Sequence, residues 1–286
     1  MRKSFLENKA PVLTGAVQEE TADLAIRAIK NFALRGAKGI DLHLTQFDDE
    51  SLQIESLKRI ISESPLPVFG LNYTVTHNSD EENERVKLLL RTIEAGAAGI
   101  DIQGYTFDYE SRDKFNENFS DANYSFVKKR PKEVVIDNAV IDKQCELIEK
   151  VHSVGGEILL SNHIATFMEC DALIDLCIFL EKRNPDTIKL VTMCDSEYEL
   201  AETVKAMIMI KKEVETPVTL ICNGKYRMIS RILNALLGGY MIFCADTYIP
   251  KYANMGQPDI SAINTIIENA DKLMLAADGY GIKGGK

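Results

Sequence analysis

Short runs of β-branched and aliphatic residues alternate along this chain with stretches whose apolar positions recur at helical spacing. The runs lie at residues 12–17, 39–44, 68–73, 99–103, 157–161, 187–191, 218–222 and 240–244. Most begin roughly 30 residues after the previous one, the length of a strand–helix unit. Amphipathic stretches fill the intervals, among them 21–35, 82–94, 197–211 and 261–275. Ser79 with Glu82, and Ser196 with Glu199, have the spacing of capping boxes just after a strand. Gly36-Ala37-Lys38-Gly39-Ile40-Asp41 returns as Gly96-Ala97-Ala98-Gly99-Ile100-Asp101, a weak internal echo. Eight strands alternating with helices predict an α/β protein built as one (β/α)8 barrel over residues 1–286. An open doubly wound sheet would carry a glycine-rich turn after its first strand, and Ala16-Val17-Gln18-Glu19-Glu20 is not one.

One interval breaks the rhythm. Between the fourth and fifth strands lies an extra segment, about 105–136, rich in aromatic, asparagine and charged residues, among them Phe107, Phe115, Phe119 and Phe126. An insertion after a barrel strand falls on the catalytic face, so a lid is one reading, and a surface excursion or dimer contact is the other.

Composition narrows the partners. The chain has 286 residues, is 45% hydrophobic and carries a formal charge of −10. This describes a folded protein and argues against a nucleic-acid backbone or an anionic membrane as its main partner. The basic residues at the N-terminus precede no apolar segment, and residues 236–245 are far too few to cross a bilayer. Six cysteines lack CxxC or CxxH spacing, so reduced, buried thiols in a cytoplasmic protein are expected.

Polar residues inside strands that are covered on both faces need a reason. Lys189 is the strongest case, in Ile188-Lys189-Leu190-Val191. Burial disfavours an ammonium and so produces the neutral amine that attacks carbonyls; the bland reading is a lysine snorkelling from the barrel end. His163 ends Leu159-Leu160-Ser161-Asn162-His163, one unit earlier, where it would neighbour Lys189 at the C-terminal mouth and move protons near neutral pH. Asp41, His43, Asp101 and Gln103 face inward by the period of two. They permit a rival reading, a divalent metal held by Asp41, His43, Asp101 and His163, which leaves Lys189 unexplained. Arg231, in the helix after strand seven, is either a surface charge or a bidentate carboxylate clamp.

Taken in order, these segments resemble the type I 3-dehydroquinate dehydratase family, Schiff-base dehydratases of the shikimate pathway that serves aromatic amino acid biosynthesis. The most specific matches are Ser161-Asn162-His163, Ile188-Lys189-Leu190-Val191-Thr192-Met193, Met228-Ile229-Ser230-Arg231 and Gly256-Gln257. The resemblance implies a (β/α)8 fold, a homodimer, and no metal or organic cofactor. It implies that Lys189 forms an imine with the substrate ketone and that His163 removes the adjacent proton and delivers one to the departing hydroxyl. Arg231 would hold the substrate carboxylate and Gln257 would contact it or a hydroxyl. Asp41, His43, Tyr73, Asp101 and Gln103 complete the expected substrate contacts.

The departures bear on specificity. The family's Glu-x-Arg-x-Asp in strand two reads Asp41-Leu42-His43-Leu44-Thr45, its arginine after strand three is missing from the stretch 72–79, and its Asp-x-Glu in strand four reads Asp101-Ile102-Gln103. Two arginines and the carboxylate expected to orient the histidine therefore lack counterparts. The expectation is a lyase that eliminates water from 3-dehydroquinate or a related cyclic keto acid. A class I aldolase, a metal-dependent barrel enzyme and a non-catalytic metabolite-binding relative are the alternatives.

Overall fold

The computed structural model describes residues 2–115, 124–246 and 256–279. Eight strands, β1 (Val12–Val17), β2 (Gly39–His43), β3 (Val68–Leu71), β4 (Gly99–Gln103), β5 (Glu157–His163), β6 (Thr187–Met193), β7 (Val218–Asn223) and β8 (Met241–Cys244), alternate with eight helices. These are α1 (Ala22–Leu34), α2 (Ile54–Glu63), α3 (Ser79–Glu94), α4 (Asn138–His152), α5 (Cys170–Glu181), α6 (Glu197–Glu213), α7 (Arg227–Leu236) and α8 (Ile260–Gly279). The strands pair in parallel in the order β7-β6-β5-β4-β3-β2-β1-β8. The remaining seam is drawn together where the Tyr240 N–H donates to the Val218 carbonyl at 3.0 Å and the Met241 N–H to Thr219 Oγ1 at 2.8 Å. This is the (β/α)8 barrel that the alternation predicts.

Two apolar layers hold it. The outward faces of the strands pack on the helices through Ile40, Leu42, Ile100, Ile102, Ile188 and Leu190 against residues such as Leu89, Leu173 and Leu176. Inside the barrel, Phe5, Val12, Phe69, Leu159, Met241 and Phe243 form a separate cluster. Phe5 comes from the N-terminal segment and stacks on Phe69, with centroids 4.2 Å apart. The internal echo has its physical reason here. A Cβ on Gly39 would lie 2.1 Å from the Phe5 ring, and one on Gly99 2.2 Å from the Phe69 ring. Each glycine opens an inward position for an aromatic plug. With one end of the barrel filled, polar chemistry is confined to the other, where the strands end.

Local details shift elements by a residue or two. The α3 N-cap is Asn78, whose side chain accepts from the Glu81 N–H, so Ser79 lies inside the helix and Glu82 is free to turn inward. The Ser196–Glu199 capping box forms as expected. Strand β5 continues through His163, because Asn162 and His163 pair with Leu190 and Val191 of an equally long β6. Strand β3 stops at Leu71, which leaves Tyr73 in the loop above it.

The segment after β4 is described on both limbs, while 116–123, with Phe119, lie outside the described residues. Short 3₁₀ helices form at Tyr109–Arg112 and Ser125–Lys129. Phe126 is fully buried against Phe179 of α5, centroids 5.3 Å apart. The returning limb lies along the end of β5, where the Lys132 N–H donates to the Ile164 carbonyl at 3.2 Å, and joins the outgoing limb, where the Glu133 N–H donates to the Ser111 carbonyl at 2.8 Å. Among the described residues, no helix is long and apolar enough to cross a membrane.

Candidate active site

Parallel register sets the heights of the polar groups. Lys189 pairs level with Ser161, and Val191 with His163, so the lysine sits one inward layer below the histidine on the neighbouring strand. The lysine side chain is 6% exposed and that of Asp101 0%. Lys189 Nζ donates to Asp101 Oδ2 at 3.2 Å, and the Ser161 hydroxyl donates to Asp101 Oδ1. Nζ also lies 4.7 Å from the centroid of the Phe243 ring, which gives the cation an aromatic floor. Burial pushes the Asp101 carboxyl above the usual carboxylate range; the Lys189 charge opposes that shift and the Asp41 charge adds to it.

Tyr73 fills the step between the two layers. Its hydroxyl lies 3.3 Å from Lys189 Nζ and 3.3 Å from His163 Nε2. Burial first, then the charges of Asp101, Glu133 and Asp41, hold the phenol well above its ordinary pKa, so it stays protonated. On the far side of the imidazole, Glu133 Oε2 accepts from His163 Nδ1 at 3.0 Å and from the His163 backbone N–H at 2.8 Å. A carboxylate accepts only, so Nδ1 carries the hydrogen and Nε2 is left as an acceptor toward Tyr73.

Glu133 is held from several sides. Its carbonyl accepts from the Asn162 side chain, and two residues on, the Val135 carbonyl accepts from buried Arg183 at 2.7 Å. Gly104 makes room for this, since a Cβ there would meet the Glu133 carbonyl at 2.1 Å.

Lys189, His163 and Tyr73 open onto a cavity of about 200 Å³ that Asp41, His43, Arg231 and Gln257 also line. Its other walls are Leu71, Val191, Ile221, Phe243 and Asn223. Opposite the lysine, His43 Nε2 lies 3.2 Å from Asp41 Oδ2, and Gln18 Nε2 lies 3.3 Å from His43 Nδ1. Asp41 Oδ1 is buried and accepts no hydrogen bond from the described residues. Arg231, fifth in α7, is 5% exposed and donates from Nη1 to the Cys222 carbonyl at 2.8 Å. Burial lowers its pKa, yet a guanidinium remains charged.

Seven of the nine residues singled out in the sequence therefore share one cavity wall. The other two do not. Asp101 is wholly buried and meets the site through Lys189, while the Gln103 side-chain carbonyl accepts from the Arg85 guanidinium beneath the wall. Glu133 was not anticipated, because nothing in Lys132-Glu133-Val134-Val135 marks it. Asn223 was also missed; as the last residue of β7 it had the positional signal that found His163. His152 pairs with Asp186 at 2.8 Å, and His77 is exposed above β3. Among the described residues, no three His, Cys, Asp or Glu side chains converge as a bound metal requires.

A parallel eight-stranded barrel with a buried lysine and an imidazole at its C-terminal mouth is a barrel of the amine-bearing kind. The profile of the type I 3-dehydroquinase family matches residues 40–274, and the chain belongs to that family. The 3-dehydroquinate dehydratase of Staphylococcus epidermidis is 26% identical over 106 residues, which are 36% of this chain. The chain spans 44% of that relative's length. Among solved structures, the type I 3-dehydroquinate dehydratase of Clostridium difficile superposes with a TM-score of 0.71 at 15% identity, covering 93% of this chain and 94% of that one. The 3-dehydroquinate dehydratase of Geobacillus kaustophilus gives 0.67 at 13% identity, covering 92% and 91%. At these identities the superpositions speak for the fold.

Proposed function

We propose that the protein is a Schiff-base-forming hydro-lyase that eliminates water from 3-dehydroquinate or a related cyclic keto acid. The observation that carries this reading is the Lys189 amine, withdrawn from solvent yet opening on the cavity, coupled to His163 through one hydroxyl. In this reading Lys189 condenses with the substrate ketone, and the iminium makes the neighbouring C–H acidic. His163 Nε2 takes that proton while Glu133 supports the imidazolium at Nδ1. The same nitrogen then protonates the departing hydroxyl, so that water leaves and a conjugated iminium remains on Lys189; a second water adds to the C=N carbon, the C–N bond breaks, and the conjugated enone departs with Lys189 restored as its ammonium. Arg231 pairs with the substrate carboxylate across the cavity. Asp41 Oδ1 offers an unused buried acceptor to a substrate hydroxyl, and Gln257 contacts the substrate from the loop after β8. Asp101 and Ser161 stay with the lysine and steady its charge as it changes.

Borohydride reduction in the presence of 3-dehydroquinate tests this. The expected result is a mass adduct on Lys189 and, without reductant, growth of near-ultraviolet enone absorbance. Both disappear in Lys189→Ala, whereas His163→Ala keeps the adduct and loses the absorbance. A folded wild-type protein that yields no adduct across a panel of cyclic keto acids overturns the proposal. Two shorter products in place of the enone would make it an aldolase.

A further inference from the structure

We propose that Tyr73 is a catalytic residue whose phenol carries the proton between the Lys189 amine and the His163 imidazole while the imine forms. The inference rests on the Schiff-base reading above and adds a step to it. Imine formation needs an amine that loses protons and a hydroxyl that gains one, and some group must pass them. The Tyr73 hydroxyl is 3.3 Å from Lys189 Nζ and 3.3 Å from His163 Nε2. Among the described residues, the amine and the imidazole make no direct hydrogen bond to each other; the phenol stands between them.

The direction of the relay follows from the partners. Glu133 requires a hydrogen on Nδ1, so in the neutral imidazole Nε2 accepts. Lysine only donates. The phenol, which can do both, therefore accepts from Nζ and donates to Nε2. Burial keeps that phenol protonated and able to donate. Its place is fixed as well. The Tyr73 backbone N–H donates to Thr45 Oγ1 at 2.9 Å. The ring lies edge-on between His163 and His43, with centroids at 5.5 and 6.2 Å.

The step balances. Lys189 begins as the ammonium paired with Asp101 and passes one proton through the phenol to Nε2, leaving a neutral amine and an imidazolium. The amine lone pair attacks the carbonyl carbon, the C=O π pair moves to oxygen, and a second nitrogen proton neutralises that oxygen to give the carbinolamine. The imidazolium returns its proton through the phenol to the new hydroxyl. The C–O bond breaks, water leaves, and the nitrogen lone pair closes the iminium. One ammonium and one ketone become one iminium and one water, and Tyr73 and His163 end as they began.

Tyr73→Phe removes the hydroxyl and keeps the ring between its two imidazole neighbours. The test is rapid-quench borohydride trapping with 3-dehydroquinate, following the Lys189 adduct with time in wild type and variant, with thermal melting as the check on folding. The expected result is the same final extent of adduct, reached more slowly by on the order of 10²-fold, the usual worth of a placed acid–base group. A slowing of trapping in D2O should also shrink in the variant. A trapping rate within twofold of wild type overturns the relay while leaving the Schiff-base reading intact, and so does a faster one, which would make the phenol an obstruction. Unchanged rate with a lower plateau assigns Tyr73 to substrate binding and overturns it too. Absence of adduct in the wild type removes both readings together.

Discussion

Strands β2 and β4 begin with the same three residues and put the third to different use. Gly39 and Gly99 each yield an inward position to an aromatic ring, and Ile40 and Ile100 each pack outward. Above them the strands diverge. On β2, Asp41 and His43 remain on the cavity wall, with one Asp41 oxygen unused. On β4, both inward groups are taken: Asp101 by Lys189 and Ser161, and Gln103 by Arg85. Facing inward is thus not what makes a barrel residue available to a ligand. What decides is whether the neighbouring elements supply a partner. Strand β6 and helix α3 bring Lys189 and Arg85 to β4, whereas among the described residues the group paired with Asp41 is His43 of its own strand.

The largest test of that contrast is structural. Arg85 holds Glu82 through Nη2–Oε1 at 2.6 Å and Nε–Oε2 at 2.9 Å, and both side chains are almost fully buried. It also donates to Thr106 Oγ1 at 3.0 Å. Arg85→Met leaves Glu82 buried without its cation. The expected cost is about 3–5 kcal/mol, a fall in melting temperature of roughly 10 °C for a chain of this size. Chemical denaturation reads it directly. A loss below about 1 kcal/mol would mean that β4 is no more tightly held than β2.

The next effect is on chemistry. Glu133→Gln weakens the acceptor that fixes His163, and turnover should fall on the order of 10²-fold while adduct formation on Lys189 persists. Gln103→Glu restores the family's Asp-x-Glu pattern on β4, yet it should not rescue Glu133→Gln. The side chain at 103 is turned toward Arg85, whereas the imidazole is gripped from the returning limb of the segment after β4. Steady-state kinetics of the double variant decides: recovery of turnover would show that β4 can reach the histidine after all.

These results also locate what can be read from the chain alone. The barrel was legible because period-two runs and helical stripes are local signals, and Lys189 stood out because an ammonium has no business among Ile188, Leu190 and Val191. Burial of inward polar groups was legible too, for the same reason of period. Their partners were not. Arg85 meets Gln103 only once its helix is laid beside β4. Glu133 lies 30 positions before His163 in sequence, inside a stretch with no periodicity, and becomes adjacent only when that limb folds back along β5. The true end of β5 was hidden likewise: Asn162-His163 is too polar to look like strand, and is one because β6 offers it hydrogen bonds.

The smallest effect is expected at the group that β2 leaves exposed to the cavity. Asp41→Asn keeps the shape and removes one negative charge. Asp41 is among the charges that push the Asp101 carboxyl and the Tyr73 phenol upward, so the substitution moves both downward and eases the charge crowding around Lys189. Stability should therefore stay within about 0.5 kcal/mol of wild type, or rise slightly. The cost should appear in binding instead. A charge-assisted hydrogen bond to a substrate hydroxyl is replaced by a weaker neutral one, a loss of about 1.4 kcal/mol or a tenfold rise in KM, with kcat nearly unchanged because the group lies across the cavity from the amine. A variant in which kcat falls and KM does not would place Asp41 with the reacting groups, and the division between the two strands would not hold.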